Sequence, residues 1–413
     1  MKNKNVEEFD LVIIGGGMVG ASLALLLKQA ISQGMKVALV DAFAISPNDA
    51  QQPSFDERTT ALSLGTKRIL DELGLWADLS MGTNAIEHIQ VSQQKQFGRV
   101  YLHAQQSQVE ALGFVVENNR LGQTLGHSLQ SLESQSLSIF APAKALNYRM
   151  GEQGALLSIE YDNQSIELSC DLLVLADGAH SPGCKALGIS HQQHDYGQSA
   201  VVCNVSFDQP HDNWAYERFT KTGPLALLPL TNNRFGLVWC MPPEQAKQHL
   251  DMSEAQFKAA LQSVLAHDKG RLMRIGQRQS YPLALKQAKE QVRSNVVVLG
   301  NAAHALHPVA GQGFNLALRD TQALANLILQ RHSEGLPLGE VSALQSYVQG
   351  QQSDQLLTTA MSHLLPVSFT QPGTALSILR SLSLTLMDIT PVAKQLFARQ
   401  AMGLTGSASQ WRP

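Results

Sequence analysis

Three short runs along this chain are apolar almost throughout: Leu11 to Ile14, Asp171 to Ala176 (DLLVLA) and Val296 to Leu299. Unbroken apolar runs of this length predict strands buried on both faces, as in a parallel sheet. Ala21 to Leu27 has the composition of a helix, and Lys36 to Val40 reads as a second strand. Residues 63–79 repeat at helical spacing with a break at Gly74, whereas 86–103 alternate as two strands, IQVSQ and GRVYLHA. A helix is predicted over 119–133, then a strand pair over 137–149 and 155–162 turned by Gly151 and Gly154. From His191 to about Ser280 the pattern changes to strand-like runs at 199–207, 225–230 and 235–240, with one helix at 253–266. That region predicts a separate, mostly antiparallel sheet. Helices are predicted over 315–331, 340–363, 376–387 and 392–404, the tail being broken at Pro372-Gly373 and Pro391. The fold class is α/β.

Each apolar strand discharges into a loop of Gly, Asp or Asn. The first loop has the spacing Gly15-x-Gly17-x-x-Gly20. Glycine permits a sharp turn at the first position, close approach to a pyrophosphate at the second, and tight helix–strand packing at the third. The helix that follows points free N–H groups and its positive dipole end at such an anion. Asp41 ends the second strand, 21 residues after Gly20, where a carboxylate can accept from ribose hydroxyls. The second loop is Asp177-Gly178-Ala179-His180-Ser181, and the third runs GNAAHALHPVAGQGFNLALRD from Gly300. In the third, Gly311-Gln312-Gly313 precedes a helix that starts near Phe314 or Asn315, a second place suited to an anion or a polar ring edge. Ligands of open parallel sheets sit outside the carboxyl ends of the strands. The three loops therefore meet at one long cofactor.

Composition removes several classes. The 413 residues carry a net charge of −3 and no run of basic residues, so nucleic acid is not an expected partner. Cys170, Cys184, Cys203 and Cys240 form no CxxC pair, which argues against a metal site or redox dithiol and fits a reducing compartment. Glu7, Glu8 and Asp10 precede the first apolar run, where a secretory signal would carry positive charge. The expected location is cytoplasmic, with peripheral contact at the inner membrane left open.

GxGxxG, DGAHS and the long GNAAH…GQGFN loop together resemble the flavoprotein aromatic hydroxylases related to p-hydroxybenzoate hydroxylase. FDERTTALS, VVENNRLGQTL, ERFTKTGPLALLPL and SYPLALKQA narrow the resemblance to the ubiquinone-biosynthesis hydroxylases, on the branch acting on 2-polyprenyl-6-methoxyphenol. The resemblance implies a Rossmann-like FAD-binding domain with an inserted, mostly antiparallel substrate-domain sheet and a helical C-terminal segment. The corresponding parts are residues 1–80, 105–190 and 281–350 for FAD, 81–104 and 191–280 for substrate, and 351–413 for the helical segment. It implies FAD as cofactor, O2, a reductant (NAD(P)H or an electron-transfer protein), and a polyprenyl phenol hydroxylated by way of a flavin hydroperoxide. Other quinone-biosynthesis enzymes and the membrane surface are the further partners it suggests.

Carried onto this chain, the resemblance puts Gly15, Gly17 and Gly20 at the FAD pyrophosphate and Asp41 at the adenosine ribose. It puts Arg58 and Asn118 along the FAD chain, Asp177 and Gly178 in the family's second fingerprint, and Gly300 and Asn301 at the ribityl chain. Pro308 and the loop Gly311, Gln312, Gly313, Phe314, Asn315 would line the flavin ring. Asn301 stands where most relatives carry aspartate, and Cys184 where many carry arginine. For catalysis the candidates are His304, His307 and Pro308, with no assigned base. Phe219, Leu227, Pro229 and Trp239 are read as walls of an apolar substrate cavity, or else as ordinary core. Two other functions stay open at this level: an FAD monooxygenase of a small soluble aromatic, and a non-catalytic scaffold in a quinone-biosynthesis assembly.

Overall fold

A computed structural model describes residues 6–45, 54, 56, 58–133, 137–151, 154–265, 270–308, 311–370 and 374–404. All of the loop 46–54 except Ser54, together with Glu57 and the break at Pro372-Gly373, lies outside these residues.

The three apolar runs become neighbouring parallel strands. Val6–Ile14 pairs with Gln164–Leu175 on one side and with Val37–Val40 on the other, and Gln164–Leu175 pairs in turn with Val296–Val298. Leu137–Phe140 adds a further parallel strand beside Val37–Val40. Leu11, Val12, Ile13, Leu172, Leu173, Val174, Val296 and Val297 are fully buried. This is why their runs are continuous rather than alternating. The strands' carboxyl ends, Ile14, Leu175 and Val298, lie side by side on one edge, and the three loops leave from there.

The predicted pair at 137–149 and 155–162 divides differently. Only Ala143–Gly151 forms the hairpin with Gly154–Tyr161, while Leu137–Phe140 stays in the parallel sheet. The second sheet is antiparallel except for one pair. Its spine is His191–Phe207, between Gln279–Ala288 and Arg234–Met241. Beyond these come Pro224–Leu230, Trp214–Phe219, His88–Gln93 and Arg99–His103. Trp214–Phe219 pairs parallel with His88–Gln93, which joins the early strands to the later ones. Gln279–Ala288 carries this sheet eight residues past the expected boundary at 280. A small third sheet holds Thr59–Ser63, Thr83–Ile86 and Gly113–Glu117.

The C-terminal part is helical as expected: Gln312–Ser333, Val341–Thr370, Thr374–Ile389 and Pro391–Ala401. Gln312–Ser333 and Val341–Thr370 are joined across their interface by Arg319 and Asp354. The pair is bidentate at 2.6 and 3.1 Å and almost fully buried. Among the described residues no helix is long and apolar enough to cross a membrane.

Candidate active site

At the carboxyl edge of the parallel sheet lies a cavity of about 1570 Å³, roofed by the spine of the second sheet. It is lined by Gly15, Gly17, Asp41, Arg58, Asn118, Asp177, Gly178, Asn301, Pro308 and Phe314. All three loops thus reach one space, although they are far apart in sequence. Its volume exceeds the roughly 300–1,000 Å³ of an ordinary small-molecule site, leaving room for a dinucleotide and a second ligand.

The backbone explains the glycines. Gly15 has φ +106°, and a Cβ there would lie 2.4 Å from the Ala176 carbonyl oxygen of the second loop. A Cβ on Gly20 would lie 1.8 Å from the Gly15 carbonyl oxygen. Gly20 therefore lets the helix Met18–Leu26 seat under the turn, while Gly17, its N-cap, carries no capping side chain of its own. Those amides face the cavity end where Gly15 and Gly17 line it, which is the arrangement a pyrophosphate requires. Asp41 is nearly buried at the same end. Its carboxylate accepts from the Gly16 amide at 2.5 Å and the Phe43 amide at 2.7 Å. Its two oxygens can each accept more than one hydrogen bond.

Further along, Asp56 gathers three elements. It accepts from Arg58 Nε at 2.5 Å and from Asn118 Nδ2 at 3.3 Å, and Tyr281 Oη lies 3.4 Å away. The Arg58 guanidinium lies over the Tyr281 ring, 4.6 Å from its centroid. Thr60 donates to the Asn118 carboxamide oxygen at 2.6 Å. Asp177 accepts from the Gly183 amide at 2.9 Å. Burial pushes its carboxyl up, with Ser181 and Gly183 pulling the other way.

Several expected site residues support the cavity from outside its lining. Asn315 is buried, and its side chain accepts from the Ser63 amide and Thr66 Oγ1 and donates to the Ala61 and Gly311 carbonyls, all within 2.8 Å. It clamps the third loop to the strand Thr59–Ser63. Gln312 donates to the Ala401 carbonyl at 3.3 Å, and Gly311 takes the left-handed conformation at φ +59°. Gly20, Gly300 and Gly313 also lie outside the lining. Cys184 is buried under the parallel sheet and Lys185 is exposed, so neither side chain lines the cavity.

His304 and His307 are buried behind the loop, away from the lining. Burial lowers both to about 4. The native state holds them neutral, while the unfolded chain protonates them near 6.5. Folding stability therefore falls as pH drops from about 6.5 toward 4, by about 1.4 kcal/mol per pH unit for each histidine. Asp320 opposes this, because burial raises its carboxyl to about 7 and its contribution is lost as pH rises toward that value. Urea midpoints measured between these pH values should lose most of their acid-side fall in a His304→Gln, His307→Gln protein. An unchanged slope would contradict neutral burial.

The expected walls lie elsewhere. Phe219 stacks on Phe369 with centroids 3.9 Å apart, and Leu227 and Trp239 pack with the helix Glu254–Leu265 in a core cluster. Pro229 is buried without lining the cavity. The wall is formed instead by Ala200, Val202, Leu237, Val238 and Leu283, with Asn204, Gln279 and Tyr281 as its polar groups. Gln279, Tyr281 and Leu283 alternate along one strand. That period of two was the available signal, and it lay just across the expected domain boundary.

Comparison with known proteins decides the class. The family described as FAD binding domain matches residues 8–359. The chain belongs to that family. It is an FAD-dependent monooxygenase. The ubiquinone hydroxylase UbiL of Rhodospirillum rubrum is 32% identical over 95% of this chain and 89% of its own length. The 3-demethoxyubiquinol 3-hydroxylase of Escherichia coli is 28% identical over 96% of this chain and 98% of its own. In fold the chain matches p-nitrophenol 4-monooxygenase of Pseudomonas putida, with a TM-score of 0.79 at 18% identity, covering 97% of this chain and all of that one. The residues present suit FAD: an uncapped helix N-terminus, a glycine turn no side chain would fit, and one cavity running from there to Pro308.

Proposed function

We propose that this enzyme hydroxylates the ring of a polyprenyl phenol of the 2-polyprenyl-6-methoxyphenol type in ubiquinone synthesis. The observation that carries the reading is near-full-length similarity to proteins named as hydroxylases of ubiquinone and demethoxyubiquinol. The cavity suits such a ring, because Val202, Val238 and Leu283 give it an apolar wall on the side of the second sheet.

Gly15, Gly17 and Asp41 would hold the FAD pyrophosphate and adenosine ribose, and Asn301 the ribityl chain, with Pro308 and Phe314 beside the flavin. Reduced and bound there, FAD supplies O2 activation for single-oxygen insertion. The chain's part is placement and shelter. The apolar wall excludes water, which protects the reactive state from unproductive decay. Tyr281 donates to the Gln279 carboxamide oxygen at 2.5 Å. Burial pushes its phenol up, with the Arg58 cation above the ring pulling the other way. It therefore stays a protonated phenol at neutral pH, and with its one hydrogen given to Gln279 its oxygen would accept from the substrate's hydroxyl.

Turnover by the FAD-loaded enzyme tests this. Prenylated phenol should gain one oxygen by mass while the tail-less phenol reacts poorly. Tyr281→Phe should lower kcat/KM by roughly 10-fold, the scale of one lost hydrogen bond. Equal or better use of the tail-less phenol would overturn the substrate assignment. An unchanged kcat/KM in the variant would overturn the role of Tyr281.

A further inference from the structure

The spine strand His191–Phe207 turns Ala200, Val202 and Asn204 toward the cavity, while Val201, Cys203 and Val205 belong to the core cluster on its other face. Cross-strand register sorts this wall into three rows. Ala200 lies between Tyr281 and Cys240, Val202 between Gln279 and Val238, and Asn204 opposite Gly236. On the other side of Asn204 the chain passes at Gly276, whose amide donates to the Asn204 carbonyl at 2.7 Å. Asn204 is thus flanked by glycine on both sides, and all three line the cavity. Neither neighbour has a side chain to cover its carboxamide. A Cβ on Gly236 would lie 2.4 Å from Thr59 Oγ1, so the third sheet closes over that glycine and leaves Asn204 at the end of the apolar patch.

The carboxamide is oriented from behind. Asn204 Nδ2 donates to Glu117 Oε1 at 3.4 Å. Glu117 is held in turn by Arg234, Nη1 to Oε1 at 2.9 Å and Nη2 to Oε2 at 3.3 Å, and Arg234 Nε donates to the Thr231 carbonyl at 3.2 Å. A carboxylate accepts and does not donate, so the nitrogen of Asn204 and not its oxygen faces Glu117. Among the described residues this is the one side-chain hydrogen bond of Asn204, which leaves its second N–H for a ligand. Neither Glu117 nor Arg234 lines the cavity. A polar group held in this way on an apolar wall is how a pocket fixes orientation and specificity. At about 3.3 Å per residue along a strand, the Tyr281 and Asn204 rows are roughly 13 Å apart. Val202 and Val238 form the row between them. That leaves room for one aromatic ring lying on two valines, with a polar group beyond each end.

We propose that Asn204 is a specificity-determining residue that donates to a second oxygen substituent on the substrate's ring, an ether oxygen such as that of a methoxy group, while Tyr281 takes the ring hydroxyl at the other end. An ether oxygen accepts and cannot donate, so it suits the free N–H of Asn204 and not the oxygen of Tyr281. A ring without that oxygen leaves the Asn204 N–H unmet, and polar groups left unpaired are what a pocket discriminates by. The inference rests on the aromatic substrate assigned above and names what distinguishes the preferred ring.

Two small probes test it apart from the prenylated substrate: 2-methoxyphenol and phenol, titrated into the full-length, FAD-loaded enzyme and followed by flavin absorbance. Wild type should bind 2-methoxyphenol at least about fivefold tighter than phenol. Asn204→Leu should bring that ratio close to one by weakening 2-methoxyphenol alone, at unchanged flavin content and melting temperature. Asn204→Ala, with a smaller side chain, should do the same. A wild-type ratio near one, or a ratio that both variants leave unchanged, would overturn the proposal. So would equal weakening of both phenols, the mark of a merely structural role. Turnover of prenylated phenols with and without the methoxy group should show the same preference in kcat/KM. Turnover of neither, with the binding ratio intact, would overturn the substrate assignment and leave the role of Asn204 standing.

Discussion

Gly15→Ala should yield protein that folds without retaining FAD. The substitution meets two obstacles at once. The residue sits at φ +106°, a conformation that costs an L side chain of order 1–3 kcal/mol. Its Cβ would also press to 2.4 Å on a backbone carbonyl of the second loop, which cannot rotate away as a flexible side chain would. Relief requires the first and second loops to part, and both line the cofactor end of the cavity. The expected purified product is colourless, with flavin content under a tenth of wild type and little turnover. A yellow, fully loaded Gly15→Ala protein would mean that this turn does not set the pyrophosphate site.

Asp354→Ala should cost the most stability of any single polar change considered, about 3–5 kcal/mol. Removing the carboxylate strands the Arg319 guanidinium, which is 3% exposed, with Thr358 Oγ1 at 3.4 Å as its remaining hydrogen-bond partner among the described residues. Against a typical total of roughly 5–15 kcal/mol, that loss would dominate the molecule's stability. Replacing both partners by apolar residues, Arg319→Met with Asp354→Leu, should be far milder because no charge is left buried. Urea unfolding of the FAD-loaded proteins distinguishes the cases. A single variant as stable as the double would show that the pair is better solvated than its burial indicates.

The convergence of the three loops was legible because it follows from one property. Strands buried on both faces have unbroken apolar runs, and such strands share a parallel sheet whose carboxyl edge collects their loops. Gly15, Asp41, Asp177 and Asn301 were found that way, and all four line the cavity. The walls were less legible. Both faces of the second sheet are covered, one by the helix Glu254–Leu265 and the other by the cavity, so alternation alone could not say which set faced the ligand. Phe219 and Trp239 could be read as wall or as ordinary core for that reason, and the structure places both in the core. Asn315 sits in the motif, yet three of its four hydrogen bonds reach residues about 250 positions earlier, a fact of tertiary packing. Asp56 likewise gains its role from Tyr281, which lies 225 residues away.

The most direct test of the central claim is mass spectrometry of the quinone lipids in cells that lack this protein, rescued by wild type or by Gly15→Ala. The account predicts accumulation of a prenylated phenol or methoxyphenol one oxygen short of the next intermediate, reversed by wild type and not by the variant. A normal quinone pool with no new intermediate, in cells carrying no other hydroxylase for the step, would contradict it.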